Sequence, residues 1–361
     1  NGASGRALSL LPGGLKLPAD SRALSEAETD EYLSFVEAAY RSSPIADPIL
    51  LANFAGSVAR NPSTSIGYRI RAADICLTIA SNTCDREIAS ACYLSLQYSE
   101  SKSLEDERTQ KLGLLYHTVF GSVDAAVQLA EGLIKRNADA RPTSQGVVEC
   151  GRAGYVFRMT GRPEQAFKAL RLAREKALKI DAPRLAEYPI WQLAQLSLET
   201  GDLAEAMKWT KELHQLGESN ADEAANTYIH AHMCMVAITQ GDRREAERYY
   251  IKVQQALTGR RPLRTLAYAI GLELGVGLMD RRWTPGEDLL RTAIARFEQA
   301  SAFCACDFLA SRVGESLIRL GRIDHARALL ANYITEKRRE KADPSAFLSP
   351  VLVKLKLKSR K

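Results

Sequence analysis

Histidine and cysteine are the side chains of this sequence that could bind a metal ion or act as nucleophiles, and their spacing argues against both roles. His230 and His232 are two residues apart in a segment with a helical pattern, so they point to different sides of a helix and do not chelate one ion. Cys304 and Cys306 lack a second cysteine pair at the spacing of a zinc ribbon, which favours buried thiols. A glycine-rich phosphate loop is absent, and no nucleophile is paired with a base. The sequence therefore predicts a protein that is not an enzyme and has no metal or cofactor.

A six-residue pattern that starts with glycine and ends with alanine recurs every forty residues. It reads Gly-Asp-Leu-Ala-Glu-Ala at 201–206 and Gly-Asp-Arg-Arg-Glu-Ala at 241–246. Related segments stand at 121–126, 161–166 and 321–326. The segment at 281–286 is degenerate but in register, with arginine and glycine at the two ends. A fixed period in this range indicates a repeat array.

Each residue type in the pattern has a physical role at a helix–helix junction. Glycine supplies the left-handed residue that ends a helix, and Asp202 and Asp242 suit the N-cap of the next, with glutamate three residues later as in a capping box. Alanine fits where two helices cross closely. The pattern therefore predicts helical hairpins that bury their apolar faces against one another. First helices are predicted near 107–119, 147–160, 187–200, 227–240, 266–280 and 305–320, and second helices near 123–136, 163–179, 203–216, 243–257, 287–300 and 324–341.

Composition and charge narrow the class of protein further. The 361 residues are 46% hydrophobic, and no apolar run reaches the roughly 18 residues that span a membrane. The seven cysteines are odd in number, which disfavours a disulfide framework and favours a reducing compartment. The net charge is +6, and five of these positive charges lie at residues 354–361, which leaves +1 for the rest. A nearly neutral body argues against direct nucleic-acid binding by the repeats.

The regions outside the repeats have different patterns. Residues 1–24 lack periodicity and are predicted to be a flexible lead-in, with a residual targeting peptide as an alternative. Residues 25–64 are predicted to form capping helices, the first opened by Ser25 and Glu28 at capping-box spacing. The repeat array is expected over 65–341. In the basic tail, 342–361, residues 351–358 alternate with period two, which predicts a strand-like or disordered segment.

The repeats resemble the tetratricopeptide family. The resemblance lies in a small residue at the eighth place of the first helix (Gly154, Ala194, Gly314), glycine at the fifteenth place and alanine at the twentieth, and it covers about 65–341. The period is forty rather than the family's roughly 34, and the longer repeat is similar to the arrays of LuxR-type bacterial transcription activators of the maltose-regulator kind. The fold that this resemblance implies is all-α, a right-handed α-α superhelix of helical hairpins.

The resemblance also implies which side chains face a concave groove. The family's groove position 2 falls on Tyr188, Tyr228, Tyr268 and Phe308, after Tyr68, Arg108 and Val148 in earlier repeats. The other groove positions fall on Trp191, Tyr155, Gln195, Met235, Glu315 and Arg158. Two interpretations remain open for the aromatic residues: packing as core between adjacent helices, or presenting hydroxyl groups and rings to a bound peptide.

Two functions follow as expectations. The first is an interaction scaffold whose groove holds a protein or peptide partner. The alternative is a ligand-sensing or peptide-sensing regulatory part of a larger transcription regulator or signalling protein. A cytoplasmic, reducing location is expected, with an organelle after removal of a transit peptide as the alternative. The oligomeric state is not predicted.

Overall fold

The protein is all-α in every part of the chain that its structure, a computed structural model, describes. The described residues are 24–42, 48–83, 85–99, 107–218, 223–257, 263–301, 307–336 and 345–358. These ranges hold seventeen α-helices and no strand, which confirms the predicted fold class. None of these helices is both long and apolar enough to cross a membrane. The described residues form two compact units, one up to Ala126 and one from Val127 onward.

The first unit holds the predicted capping helices and the irregular first repeat. Its helices are α1 (Glu26–Ser42), α2 (Pro48–Arg60), α3 (Ile66–Thr83), α4 (Arg86–Ser99) and α5 (Glu107–Val119). The predicted capping box opens α1: the Ser25 N–H donates to Glu28 Oε2 over 2.9 Å, and the Glu28 N–H donates to Ser25 Oγ over 3.3 Å. Helices α2, α3 and α4 pack on one another, with the thiols of Cys76 and Cys92 buried between them.

The second unit consists of helical hairpins. Its helices, of which α6 begins four residues before the unit boundary, are α6 (Val123–Asn137), α7 (Ser144–Met159), α8 (Pro163–Lys179), α9 (Pro183–Thr200), α10 (Leu203–Glu218), α11 (Glu223–Gln240), α12 (Arg243–Ala256), α13 (Leu263–Leu278), α14 (Glu287–Ser301), α15 (Asp307–Arg319), α16 (Ile323–Glu336) and α17 (Ser349–Lys358). Helices α7 to α16 pack as five consecutive pairs, and the first helices of successive pairs contact each other. This confirms the predicted array of hairpins. Four of the six first helices start three or four residues earlier than predicted.

The glycines that end the first helices have the left-handed conformation at most repeats. The φ angles of Gly161, Gly201, Gly241 and Gly321 are 71°, 82°, 79° and 77°. After Gly201, the Asp202 N–H donates to Ser197 O over 2.8 Å, which satisfies a carbonyl at the helix end. The aspartates then cap the second helices, because Asp202 Oδ1 and Asp242 Oδ1 accept from backbone N–H groups three residues on, over 3.0 and 3.1 Å.

Gly121 does not follow this rule, and the prediction of a left-handed residue there was wrong, since its φ is not among the positive values of the described residues. The Gly121 N–H donates to Tyr116 O over 3.2 Å, and the Ser122 N–H donates to His117 Nδ1 over 3.2 Å. A Cβ at Gly121 would lie 2.4 Å from His117 Nδ1. Glycine is therefore required here because the imidazole approaches the backbone closely.

The predicted helix crossings are as tight as the small residues indicated. Ala166, Ala206 and Ala246 are completely buried, which confirms the alanine prediction. At the small position of α7, a Cβ on Gly154 would lie 2.5 Å from Leu170 Cδ2 on α8. A larger side chain at these places would push the two helices of a hairpin apart.

The degenerate repeat at 281–286 is held together by a side chain from the next hairpin. The Arg319 guanidinium donates to the backbone carbonyl oxygens of Asp280 (2.6 Å), Trp283 (3.1 Å) and Leu278. These carbonyls lie at and just after the end of α13, where a helix leaves acceptors without intrahelical partners. The Arg319 side chain therefore satisfies backbone carbonyl groups of this loop. At other repeats, backbone N–H groups after a left-handed glycine satisfy the carbonyls at the helix end.

The C-terminal segment is helical, and the prediction of a strand-like or disordered tail was wrong. Residues Ser349–Lys358 form α17. Val351 and Leu355, four residues apart, are buried, whereas Val353 is 54% exposed. The period-two pattern suggested a strand, but Val351 and Leu355 are also four residues apart, the spacing of one helix face. In the structure this face packs against the neighbouring helices.

Candidate functional site

The forty-residue spacing places four aromatic residues at equivalent positions of successive first helices. We call Tyr188 on α9, Tyr228 on α11, Tyr268 on α13 and Phe308 on α15 the aromatic column. Tyr188 and Tyr228 are 42% and 41% exposed, Tyr268 is partly buried and Phe308 is 3% exposed. The column therefore has an exposed part, Tyr188 and Tyr228, and a buried part, Phe308, and only Phe308 packs as core.

Trp191 joins the two exposed tyrosines into one surface. Its ring centroid lies 6.1 Å from that of Tyr188 and 5.8 Å from that of Tyr228, in tilted arrangements. A Cβ at Gly151 would lie 3.3 Å from Tyr188 Cδ1, so the bare backbone of α7 lets the Tyr188 ring lie close. We call Tyr188, Trp191 and Tyr228 the aromatic patch.

A pocket opens beside this patch, between α9, α11, α12 and α13. The space in and around its open mouth is about 370 Å³, solvent included, whereas the enclosed part is about 20 Å³, room for about one water molecule. It is lined by Trp191, Gln195, Thr227, Tyr228, Ala231, His232, Met235, Val253, Leu257, Tyr268, Ala269 and Leu272. The lining contains three large aromatic rings and no aspartate, glutamate, lysine or arginine. The lining is therefore largely apolar and aromatic, with a few uncharged polar groups.

Three of the lining residues carry buried polar atoms without a hydrogen-bond partner. They are Trp191 Nε1, Gln195 Oε1 and both ring nitrogens of His232. The neighbouring Gln192, on the same helix, is buried with both of its amide atoms in the same condition. Each unpaired buried polar group costs about 1–3 kcal/mol, and in native proteins such groups are normally paired with protein or ordered water or have a functional role.

A buried ion pair lies beside these polar atoms. Arg158 Nη1 donates to Glu199 Oε1 over 2.6 Å, and Gln195 Nε2 donates to the same oxygen over 3.2 Å. Arg158 Cζ also lies 5.8 Å from the centroid of the Tyr155 ring. Because the carboxylate is paired, its charge is not available to a guest in the pocket.

His232 is uncharged at neutral pH. Burial lowers its pKa to about 3, and the charge of Arg158 acts in the same direction. A neutral imidazole has one N–H donor and one acceptor nitrogen, so His232 offers one of each. The ring packs edge-on to Trp191, with centroids 6.0 Å apart, while His230 packs against Tyr249 at 6.1 Å. The two histidines do point to different sides of α11, as their spacing predicts.

The structure brings most of the predicted groove residues together and separates two of them. Trp191, Gln195, Tyr228, Met235 and Tyr268 line the pocket, Tyr188 extends the patch, and Arg158 and Tyr155 lie behind it in buried positions. Phe308 and Glu315 on α15 do not take part. The Phe308 ring packs against Phe347 with centroids 5.3 Å apart, and Glu315 Oε1 lies 2.6 Å from Lys354 Nζ.

Among the pocket residues that sequence reasoning missed, His232 is the one with unpaired buried polar atoms. A usable signal was present: Gln192 and His232 occupy the same place in successive first helices, and both are polar in a stretch of apolar residues. Within the described residues, no group of three His, Cys, Asp or Glu side chains could hold a metal ion. Cys304 and Cys306 lie outside those residues.

Comparison with known proteins identifies no relative by sequence. No protein-family model matches the chain. No curated protein matches it. Among solved structures, the chain is similar to the crystal structure of yeast Tom70, with a TM-score of 0.33 and 12% identity over 99% of this chain and 70% of that one. What can be said of function therefore comes from this chain's own side chains.

Proposed function

We propose that this protein is an interaction scaffold that binds a peptide or protein partner at the aromatic patch, with one partner side chain entering the adjoining pocket. The observation that carries the proposal is the pair of exposed tyrosines at equivalent repeat positions with Trp191 between them. Tyrosine and tryptophan supply much of the energy of protein interfaces, because they bury a large area with few rotatable bonds. Unlike singly scattered exposed apolar residues, the three rings are contiguous.

The proposal includes no enzymatic activity and no direct nucleic-acid binding by the repeats. A reducing compartment is part of it, because the described cysteines Cys76, Cys92, Cys150 and Cys234 are all buried thiols, as expected of core residues. Burial raises the pKa of the Cys150 thiol to about 11 and that of the Cys234 thiol to about 12. Such thiols are poorly reactive.

A selection experiment tests the scaffold proposal. Peptides are selected from a random display library on the full chain, and their Kd values are measured for the wild type, Tyr228→Ala and Ile251→Ala. Ile251 is an exposed apolar residue on a second helix and serves as the matched control. Tyr228→Ala should weaken binding about 5- to 30-fold, the effect of losing about 1–2 kcal/mol, and Ile251→Ala should not. Peptides that bind both variants equally well would show that the patch is not the binding surface.

The pocket favours a second candidate, a ligand-sensing part of a larger regulator, in keeping with the resemblance to LuxR-type arrays. The unpaired atoms of Trp191, Gln195 and His232 include donors and acceptors, and the lining carries no charged side chain. The ligand class that fits is an uncharged aromatic ring bearing a hydrogen-bonding group. Hydrogen bonds to such a ligand would relieve the cost of the unpaired atoms.

The probe for this second candidate is p-cresol, with toluene as its apolar counterpart. We expect p-cresol to shift the indole N–H resonance of Trp191 and toluene to bind more weakly. Trp191→Phe should weaken p-cresol binding measured by calorimetry, because it removes the indole N–H donor. Trp209→Phe is the matched control, since the Trp209 Nε1 is also buried without a partner but lies outside the pocket. If p-cresol and toluene bind equally, the polar atoms do not recognise a ligand.

A further inference from the structure

The last described segment of the chain lies on first helices of the second unit that are far from it in sequence. The Ala346 N–H donates to Glu199 O over 2.7 Å, in the last turn of α9. Phe347 belongs to the same buried cluster as Leu198, Met235 and Phe308. Residues 345–348 therefore contact α9 and α15 and share a buried cluster with Met235 of α11, across positions that the repeat pattern assigns to groove-facing side chains.

Apolar contacts continue along α17. Leu348, Val351 and Leu355 are buried, and a Cβ at Gly314 would lie 3.1 Å from Val351 Cγ1. The absent side chain at the small position of α15 thus makes room for the C-terminal helix as well as for Leu330 of α16, 2.9 Å from the same point. The surface formed by the end of α9, Met235, Phe308 and Gly314 has a shape that fits an aromatic residue followed by aliphatic residues.

An ion pair also joins α17 to α15. Lys354 Nζ lies 2.6 Å from Glu315 Oε1, and Arg312 Nη1 lies 3.6 Å from Glu315 Oε2. Burial acts to raise the pKa of Glu315, but the hydrogen bond from Lys354 and the charges of Arg312, Lys354 and Arg319 outweigh it, so the pKa lies below its usual value. The carboxylate is therefore ionised at neutral pH and selects a cation at this place.

We propose that this surface, the C-terminal seat, is a binding site for partner segments of the form aromatic–aliphatic–basic, and that residues 345–356 occupy it as a competing ligand within the chain. The match is direct: Phe347 fills the aromatic place, Leu348, Val351 and Leu355 the aliphatic places and Lys354 the basic one. The seat shares Met235 with the pocket but none of its residues with the aromatic patch, so the proposal does not depend on peptide binding at that patch.

Several features make this segment displaceable. Its helix α17 has ten residues, a length that is marginal on its own in water. Among the described residues, α17 packs chiefly on α15 and α16, and its Lys354 is about half exposed. A ligand tethered to its own site acts at an effective concentration on the order of mM. A partner segment must overcome this competitor, so its apparent affinity is reduced by the fraction of time the seat is occupied.

The experiment uses the full chain and a labelled synthetic peptide with the sequence of residues 345–356. Lys354→Glu in the chain weakens the internal ligand at a half-exposed position. We expect the peptide to bind this variant at least tenfold more tightly than the wild type, measured by fluorescence anisotropy. Phe347→Ala should act in the same direction and more strongly; should that variant fail to fold, Lys354→Glu alone decides.

Changes in the seat test the site itself. In the otherwise wild-type chain, Glu315→Lys should repel both the chain's own Lys354 and the wild-type peptide, so that the wild-type peptide does not bind and a peptide carrying the Lys354→Glu change does. Tyr228→Ala should leave peptide binding unchanged, which separates this proposal from the scaffold function at the aromatic patch. Equal binding to wild type and Lys354→Glu, or no binding to either, would overturn the proposal. Helix α17 would then be a fixed part of the packed array and not a displaceable ligand.

Discussion

The aromatic column places the same kind of side chain in opposite surroundings at two places. Tyr188 and Tyr228 leave about two fifths of their surface exposed, whereas Phe308 is almost fully covered. At α9 and α11 the space beside the tyrosines is taken by Trp191, which leaves their outer faces open. At α15, Phe347 covers the ring from the C-terminal segment, and a Cβ at Gly271 of α13 would lie 3.2 Å from Phe308 Cδ1. Position in a repeat thus sets where a side chain points, and its neighbours decide whether it is core or surface.

The largest expected effect is at the covered end of the column. Phe308→Ala should lower the free energy of unfolding by about 3–5 kcal/mol, because it leaves a cavity in a packed cluster. Urea unfolding followed by circular dichroism measures this. A loss below about 1 kcal/mol would mean that Phe308 contributes no more to the packed core than the exposed tyrosines do. The two ends of the column would then not differ in their contribution to stability.

The next effect tests the hairpin crossing that aligns the column. Ala206→Leu should destabilise the protein by about 1–3 kcal/mol, since the site is completely buried at the contact of α9 with α10 and added methylenes overpack it. Ala204→Leu, on the exposed side of the same helix, is the control and should change stability by no more than about 0.5 kcal/mol. Equal melting temperatures for the two variants would contradict the assigned register.

At the exposed end of the column, the Trp191 ring packs against the buried imidazole of His232. We therefore expect the free energy of unfolding to depend on the protonation of His232. The pKa of His232 is about 3 when folded and about 6.5 when unfolded, so the unfolded chain binds a proton first as pH falls. The free energy of unfolding therefore decreases from pH 6.5 downward by about 1.4 kcal/mol per pH unit, or about 2 kcal/mol at pH 5. His232→Leu should remove this part of the decrease, and His325→Gln, at an exposed site, should retain it. Denaturant titrations at pH 7 and pH 5 decide between these outcomes.

The smallest expected effect is at an exposed tyrosine. Tyr228→Ala should cost less than about 1 kcal/mol of stability, because a half-exposed ring leaves little cavity when it is removed. The same urea assay used for Phe308→Ala gives the comparison directly. A loss of 3 kcal/mol or more would place Tyr228 in the core and remove it from the aromatic patch.

Much of the fold could be predicted from the sequence, because the signals are local. Helix ends follow from the backbone preference of glycine and the hydrogen bonds of aspartate, and both recur at a fixed period, as at Gly201 and Asp202. Where a tertiary contact replaced the local signal, prediction failed. Gly121 is needed because the His117 imidazole lies against its backbone, and Arg319 donates hydrogen bonds to carbonyl groups of the 281–286 loop. Residues 351–358 are helical because Val351 and Leu355 then pack together against neighbouring helices.

The sequence by itself determined that the chain is an array of helical hairpins and which residues occupy equivalent positions along it, since capping and small-residue crossings depend on neighbours a few residues away. Only the tertiary structure decided which equivalent positions form a site. The pocket is formed by side chains from α9, α11, α12 and α13 together. The polar atoms of Trp191, Gln195 and His232 are unpaired because, among the described residues, no neighbouring helix places a hydrogen-bonding group within reach of them. The covering of Phe308 and Glu315 depends on a segment almost forty residues further along, and no periodicity encodes where that segment comes to lie.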